Sequence, residues 1–335
     1  MTQETPRTSP VQTRSRRFRV VCSVWLALAA AVILAGCGAR KQDFRSELMA
    51  RSQAAAAATD RSEPVLPDLT PADYERLGDA HIAQGDFYLA FLQYEKALAS
   101  DGSNPRLLYK KGLAFLLAGN DEEALKEFQK VLRFDPDHAP AQEGMGQALY
   151  RTGKYAEAEG HLEKAVELDP KRWKAYAYLG LLRDRQKRFP EAVAFYEKAI
   201  GLQPGEGSTY NNLGVSYLRM GLLDKAVLCF YAAIENGYAH DRVYNNLGVA
   251  LARAGNEEEA LQAFKKAGGE AQAWNNLGCV HLEKGDYEKA MHAFEQAIET
   301  SPTFYVTASE NLAKARAGLN LRQTNDYESR SNIEK

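Results

Sequence analysis

The chain has 335 residues, of which 45% are hydrophobic and 26% are charged, and its formal net charge is −2. These values are typical of a folded chain of two or three domains. They exclude a disordered chain and a strongly basic, nucleic-acid-binding one.

The first 36 residues have the composition of an export signal. Four arginines between residues 14 and 19 precede an apolar run over 20–35 that only Ser23 interrupts. A membrane-spanning helix needs roughly 20 apolar residues, and this run is shorter. We therefore predict a signal peptide over residues 1–36.

The apolar run ends in Leu34-Ala35-Gly36-Cys37, which resembles the lipobox of bacterial lipoproteins. The resemblance implies cleavage after Gly36, lipidation of Cys37 and a mature chain held on a membrane by several acyl chains. Gly38, and not Asp, follows the cysteine. By analogy with enteric lipoprotein sorting, this implies the outer membrane, facing the periplasm. A plain secretory signal and a lone membrane anchor with an incidental cysteine are the alternatives.

The chain that remains after this cleavage is acidic. Removing residues 1–36 takes away five arginines and one glutamate, which leaves 37 basic and 43 acidic side chains. An acidic chain argues against a nucleic acid as partner. Residues 37–70 are rich in Ala, Ser, Arg and Pro, and we predict a flexible tether that spans about 30 Å root-mean-square.

Beyond the tether, only Cys229 and Cys279 remain as cysteines. Both fall in helical apolar patterns, without partners at metal-ligand spacing. This favours free, buried thiols over a disulfide between the two, although an oxidising compartment leaves that pairing open.

One pattern recurs with a fixed period through the rest of the chain. Its glycines are spaced 34 residues apart five times and then 30 apart: Gly78, Gly112, Gly146, Gly180, Gly214, Gly248 and Gly278. An alanine follows each glycine after twelve residues. A large apolar residue follows each alanine after four: Tyr94, Phe128, Leu162, Tyr196, Phe230, Phe264 and Phe294. Such self-similarity is the signature of a repeat architecture.

We interpret each unit as two antiparallel helices. The glycine lets the second helix approach closely, the matching alanine meets it, and the large side chain fills the space between neighbouring units. A further glycine marks the turn between the helices, where a left-handed residue is needed; Lys187 takes its place in the fourth unit. Because no unit can bury its apolar face alone, the units must stack.

The segment from Trp274 to Pro302 carries almost the full signature of the tetratricopeptide repeat, with Leu277-Gly278 and Phe294 at the expected places. The resemblance covers residues 71–304 and implies an all-α fold, a right-handed superhelical solenoid of about seven helix-turn-helix repeats. The predicted units are 71–104, 105–138, 139–172, 173–206, 207–240, 241–270 and 271–304.

Two features lie at the end of this array. The sixth unit is four residues short, and Gly268-Gly269 replaces its closing turn. After the seventh unit, apolar residues at helical spacing predict a C-terminal capping helix over 305–321, and residues 322–335 read as a polar tail.

The sequence argues against catalysis. The six histidines are scattered without metal-ligand spacing, and the glutamate pairs and triplets fall at helix starts, where carboxylates favour the dipole. We predict a non-catalytic protein without a cofactor or metal, which binds a protein partner.

In tetratricopeptide arrays the first helices of all units line a groove for an extended peptide or a helix. When each unit is numbered so that its recurrent glycine is residue 8, two groove positions carry recurrent polar side chains. Position 6 carries Asn212, Asn246 and Asn276, and position 13 carries Arg151, Arg185, Arg219 and Arg253. Such a groove suits a peptide with carboxylates, its main chain paired with the amides. Because both residue types are frequent at these positions in the family, repeat amplification alone is the alternative.

A lipobox combined with a long tetratricopeptide array resembles the envelope lipoproteins that assist pilus and secretin assembly. Examples are the TadD proteins of tight-adherence (Flp) pili and the PilF/PilW pilotins of type IV pili. The resemblance implies a membrane-tethered scaffold with secretin or pilus components as partners. An adaptor of the NlpI type, which brings peptidoglycan hydrolases to a protease, is the alternative.

Overall fold

A computed structural model describes residues 69–303 and 305–333, with side chains as far as residue 324. The predicted signal peptide, Cys37 and all but the last two residues of the tether lie outside the described residues. Within them the chain is entirely helical, with fifteen α-helices and no strand. None of these helices is both long enough and apolar enough to cross a membrane.

The first fourteen helices form seven consecutive pairs, one for each predicted unit. They are α1 Pro71–Gln84, α2 Phe87–Leu98, α3 Pro105–Ala118, α4 Asp121–Phe134, α5 Ala139–Arg151, α6 Tyr155–Leu168, α7 Trp173–Arg185, α8 Phe189–Leu202, α9 Gly207–Arg219, α10 Leu223–Glu235, α11 Asp241–Ala254, α12 Glu257–Gly268, α13 Glu270–Lys284 and α14 Tyr287–Glu299. Each helix packs against the next, so the predicted solenoid of stacked pairs is confirmed.

Local sequence explains where these helices begin and end. Thr70 and Asp73 form a reciprocal capping box at the start of α1, and Pro71 occupies the first turn. The turn glycines adopt the left-handed conformation, for example Gly285 with φ 77°. Lys187 adopts it too, with φ 59°, so the fourth unit keeps the turn geometry without glycine.

The recurrent glycines make the close approach to the second helix that we predict, and the nearest atoms belong to its large side chain. A Cβ added at Gly78 would lie 2.5 Å from the Tyr94 ring, and one added at Gly278 would lie 2.6 Å from the Phe294 ring. The large side chain of each unit therefore lies on the glycine, and at Gly146 the backbone oxygen of Ala158 lies close as well. The alanines are nevertheless fully buried.

The last helix, α15, spans Val306–Ile333 and is longer than the predicted capping helix. Ala308, Leu312 and Ala315 are buried against the seventh unit. The predicted end at residue 321 is wrong, because neither glycine nor proline occurs after Gly318 to stop the helix.

The two cysteines of the fold are free and half-buried, which is less burial than we expected. Burial raises the pKa of the Cys229 thiol to about 11, so it is protonated at neutral pH.

Candidate peptide-binding groove

A cavity of about 730 Å³ runs across the first helices of units two to five, and we call it the central groove. Its walls come from α3, α5, α7 and α9, together with the loop before α7. Among its lining residues are Leu113, Leu117, Glu143, Gly144, Gln147, Arg151, Lys171, Arg172, Trp173, Lys174, Tyr178 and Asn212.

Gly144 lines the central groove without a side chain. This residue stands at position 6, where the other six units carry a side chain. A Cβ added here would lie 2.5 Å from Cζ of Phe128, a ring of the preceding unit. The packing of Phe128 therefore excludes a side chain at Gly144, which lines the cavity with its backbone.

One wall of the groove is apolar. Leu117 is 42% exposed although it is a large aliphatic residue, and Leu113 is half-buried one turn earlier on α3. Tyr178 also lines the groove and meets Tyr150 edge-on, with 5.3 Å between the ring centroids. These surfaces can accept a large apolar side chain of a ligand.

The rim of the groove is basic, and part of that charge is already neutralised. Arg172 donates to Glu143, with Nη2 2.9 Å from Oε1, and Glu143 is 6% exposed. Burial acts to lower the pKa of Arg172, but the hydrogen bond and the charge of Glu143 raise it. Lys171 and Lys174 form no ion pair within the described part of the chain, so they can meet a ligand carboxylate.

Of the four predicted arginines, Arg151 alone lines the central groove. Its Nη1 donates to the Leu116 carbonyl at 2.9 Å, and its Nε lies 3.2 Å from Oδ1 of Asp121. Burial raises the pKa of Asp121, against the lowering effect of the Arg151 charge. Arg151 thus caps the end of the preceding first helix as well as facing the groove.

The other three arginines lie elsewhere. The Arg185 guanidinium lies 3.8 Å from the centroid of the Tyr155 ring, in a cation–π contact with the preceding unit. Arg253 donates to Glu283 of the following unit at 2.7 Å. Arg219 is exposed. That these three side chains contact a ligand stays a prediction.

The predicted asparagines belong to a chain of amide hydrogen bonds that links units five to seven and α15. Each position-6 amide of units six and seven donates to a position-5 oxygen of the preceding unit. Asn246 Nδ2 lies 3.1 Å from Asn211 Oδ1, and Asn276 Nδ2 lies 3.0 Å from Asn245 Oδ1. Asn311 of α15 continues the series, with Nδ2 3.2 Å from Asn275 Oδ1.

We call these residues the asparagine ladder. Its first member, Asn212, accepts from the neighbouring Asn211 at 3.3 Å and lines the central groove. Asn246 and Asn276 do not line it. The ladder therefore ties units together, and Asn212 is the member placed to meet a ligand there.

The sequence did not predict Leu117, the exposed aliphatic residue of the groove wall. It occupies position 13, the position that carries arginine in the next four units. An aliphatic residue in a column of arginines is the signal that could have revealed it. The sequence also did not predict Trp173, which lines the groove from position 1 of the fourth unit.

Three titratable side chains that line the groove are paired or have shifted pKa values. Glu143 is engaged by Arg172, and the tyrosine hydroxyls of Tyr109 and Tyr178 have pKa values raised by burial. Among the described residues, no three His, Cys, Asp or Glu side chains are grouped as metal ligands.

Several solved structures are similar to this chain. The crystal structure of the Cut9–Hcn1 hetero-tetramer of the APC/C is 19% identical over 76% of this chain and 50% of that one, with a TM-score of 0.54. A MamA crystal structure is 31% identical over 50% of this chain and 91% of that one, with a TM-score of 0.41. PilF of Pseudomonas aeruginosa is 21% identical over 64% of this chain and 98% of that one, with a TM-score of 0.49.

Comparisons with sequences give a family. None of the curated proteins matches this chain. The family model for the tetratricopeptide repeat matches residues 271–304, which is the predicted seventh unit. A second family model, the Cilia and flagella-associated protein 70 C-terminal domain, matches residues 27–273. Because that match covers well over half of the chain, this protein belongs to the tetratricopeptide-repeat family of the Cilia and flagella-associated protein 70 C-terminal domain.

Proposed function

We propose that this protein is a membrane-tethered, non-catalytic scaffold that holds a segment of a cell-envelope protein in its central groove and assists pilus or secretin assembly. The observation that carries the binding role is the groove itself, in which an apolar wall and a basic rim line one cavity together with Gly144. Tetratricopeptide arrays use such surfaces to bind proteins.

The lining defines the segment that fits. A large aliphatic or aromatic side chain packs against Leu113 and Leu117 above Gly144, and a carboxylate next to it meets Lys171 or Lys174. The C-terminal amides contribute less than the sequence indicates, because Asn246 and Asn276 are engaged in the ladder. The tether and the envelope location rest on the lipobox resemblance at Cys37.

The experiment is a pull-down from detergent-solubilised envelope, with captured proteins identified by mass spectrometry. Leu117→Asp and Lys174→Glu should each reduce capture of a secretin or pilus subunit about tenfold, because they remove a central apolar contact and a rim charge. Leu202→Asp is the matched control, since Leu202 is 37% exposed at the end of α8 and lies outside the groove.

Equal capture by all three variants would contradict the groove assignment. Capture of a peptidoglycan hydrolase or a protease, lost in the groove variants, would replace pilus assembly by the NlpI-type adaptor role.

A further inference from the structure

A second cavity, of about 410 Å³, lies between α12, α13 and α14, and we call it the Trp274 pocket. α13 contributes Trp274 and His281 to its lining, α14 contributes Glu288 and Lys289, and α12 contributes Glu257. The Trp274 pocket shares no lining residue with the central groove, so an inference about it does not depend on the proposed function.

Three other units show what covers the ring that stands at the place of Trp274. This place is position 4, and in each of the three units a lysine at position 26 lies over it. The distances from Nζ to the ring centroid are 5.4 Å for Lys96 over Tyr74, 4.5 Å for Lys198 over Tyr176 and 5.5 Å for Lys266 over Tyr244. The repeat thus places an ammonium group on the aromatic residue of position 4.

The seventh unit keeps the aromatic residue but has lost the lysine. Gln296 occupies position 26, where its amide donates to Glu299 at 3.0 Å. Trp274 meets His292 edge-on, with 6.4 Å between the ring centroids, and no lysine or arginine of the described residues lies over its ring. Tryptophan has the aromatic ring that attracts cations most strongly. The best ring of the series therefore lacks the cation that the others have.

His281 adds a buried polar group without a partner. It is 4% exposed, and neither ring nitrogen has a hydrogen-bond partner among the described residues. The Glu257 carboxylate lies 3.7 Å from Nε2, and the Asp286 carboxylate lies 3.9 Å from Nδ1. Burial lowers the pKa of His281, against the raising effect of the Glu257 charge. A neutral imidazole has one nitrogen that accepts a hydrogen bond, so a donor in the pocket could pair with it.

The fifth unit also lacks the lysine, with Tyr210 at position 4 and Ala232 at position 26. Its residue at the place of His281 is Tyr217, which donates to Glu197 at 2.9 Å. The combination of an uncovered ring with an unpaired buried polar group therefore distinguishes the seventh unit from the fifth.

The charges around the Trp274 pocket favour a cation. Lys289 is engaged by Glu257, with 2.8 Å between Nζ and Oε1. Glu288 is exposed and forms no ion pair with another described residue. Two carboxylates and one ammonium group thus leave an excess of negative charge in the lining. Next to His281, the charges of Asp286 and Lys284 offset each other.

We propose that the Trp274 pocket binds a lysine side chain of a partner protein. The ammonium group lies over the Trp274 ring, as three lysines of this chain do in other units, and donates to Glu288 and His281. The methylene groups of the lysine pack against Leu277 and Ala293, which also line the pocket.

The test is fluorine NMR of the full chain in a non-ionic detergent, labelled with 5-fluorotryptophan and titrated with the peptide acetyl-Gly-Lys-Gly-amide. The Trp274 resonance, assigned by its loss in Trp274→Phe, should shift. The Trp173 resonance should not, because the central groove around it has a basic rim. The same peptide acetylated on its lysine side chain should bind at least about tenfold more weakly, because the charge is gone.

A variant that restores the missing lysine tests the site from the side of the protein. Gln296→Lys should place the chain's own ammonium group over Trp274, as in the other three units, and weaken peptide binding at least about tenfold. Gln129→Lys adds the same charge at an exposed residue of α4, and as the matched control it should leave binding unchanged.

A Trp274 resonance that does not move at the highest peptide concentration would overturn the proposal. So would equal binding of the charged and the acetylated peptide, or equal binding by Gln296→Lys and Gln129→Lys. An equal shift of the Trp173 resonance would also contradict it, because the peptide would then be attracted to the chain in general and not to this pocket.

Discussion

Asn211 is 4% exposed, and its amide oxygen accepts from one donor, the Asn246 side chain. A buried oxygen without a donor costs free energy, because it has given up its hydrogen bonds to water. The ladder therefore contributes to stability through the residue at position 5 as much as through the one at position 6.

We expect Asn246→Ala to lower the free energy of unfolding by about 1–3 kcal/mol, since it leaves Asn211 Oδ1 buried and unpaired. The measurement is urea unfolding followed by circular dichroism. In the double variant with Asn211→Ala the loss should be smaller than the sum of the two single losses, because both singles break one shared hydrogen bond. Additive losses would contradict the direct contact between the two side chains.

The repeat register shows which side-chain positions the sequence predicts and which contacts between units it does not. It places Asn246 at a groove position of its own unit, and the structure leaves it half-buried. It does not reveal that Asn211, 35 residues earlier, lies within hydrogen-bonding distance. That distance depends on the offset between consecutive units, which no single unit specifies. The same limit applies to Gly144, whose effect on the groove depends on the position of the Phe128 ring.

At the scale of single helices, α15 closes the apolar face of the seventh unit. Gly318 lies so near Tyr287 that an added Cβ would be 2.3 Å from its ring, and Leu312 is buried further up the helix. Helical spacing predicted this packing. It could not fix the end of α15, because periodicity of apolar residues fades where a helix leaves the surface that it covers.

Deleting residues 306–335 should lower the midpoint of thermal unfolding by several degrees. Burial of Leu312 alone is worth about 1.5–3 kcal/mol, and its loss also exposes the seventh unit to water. Deleting residues 323–335 is the control and should change the midpoint little, because Leu321 is already 66% exposed just before that segment. Equal effects of the two deletions, measured by circular dichroism, would mean that α15 is not a cap.

At the scale of the whole molecule, seven similar units produce one distinctive groove. The fold follows from the recurrent glycine and its large apolar partner, which is aromatic in six units and Leu162 in the third, and both are visible in the sequence. The groove follows from exceptions to the repeat, namely glycine at position 6 and leucine at position 13 in adjacent units. An exception acquires meaning only beside its neighbours in space, and for this reason the sequence predicted Arg151 and Asn212 of the groove but not its apolar wall.

The proposed anchor also concerns the whole molecule. We expect Cys37→Ser to abolish incorporation of a palmitate analogue in living cells, because the thiol that starts lipid attachment is gone. Cys22→Ser is the control and should keep the label, since Cys22 lies within the predicted signal peptide. The readout is in-gel fluorescence of the immunoprecipitated chain. Label that persists in Cys37→Ser would remove the basis for a lipid tether.

The short sixth unit has a consequence for folding. The hexapeptide YNNLGV occurs at 210–215 and again at 244–249. Identical segments can take each other's place during folding, so that a unit packs against the wrong neighbour. The next spacing is 30 residues instead of 34, a difference of four residues or about 6 Å of helix. We therefore expect that the fifth and sixth units are not interchangeable next to α13, which disfavours such a misfolded pairing.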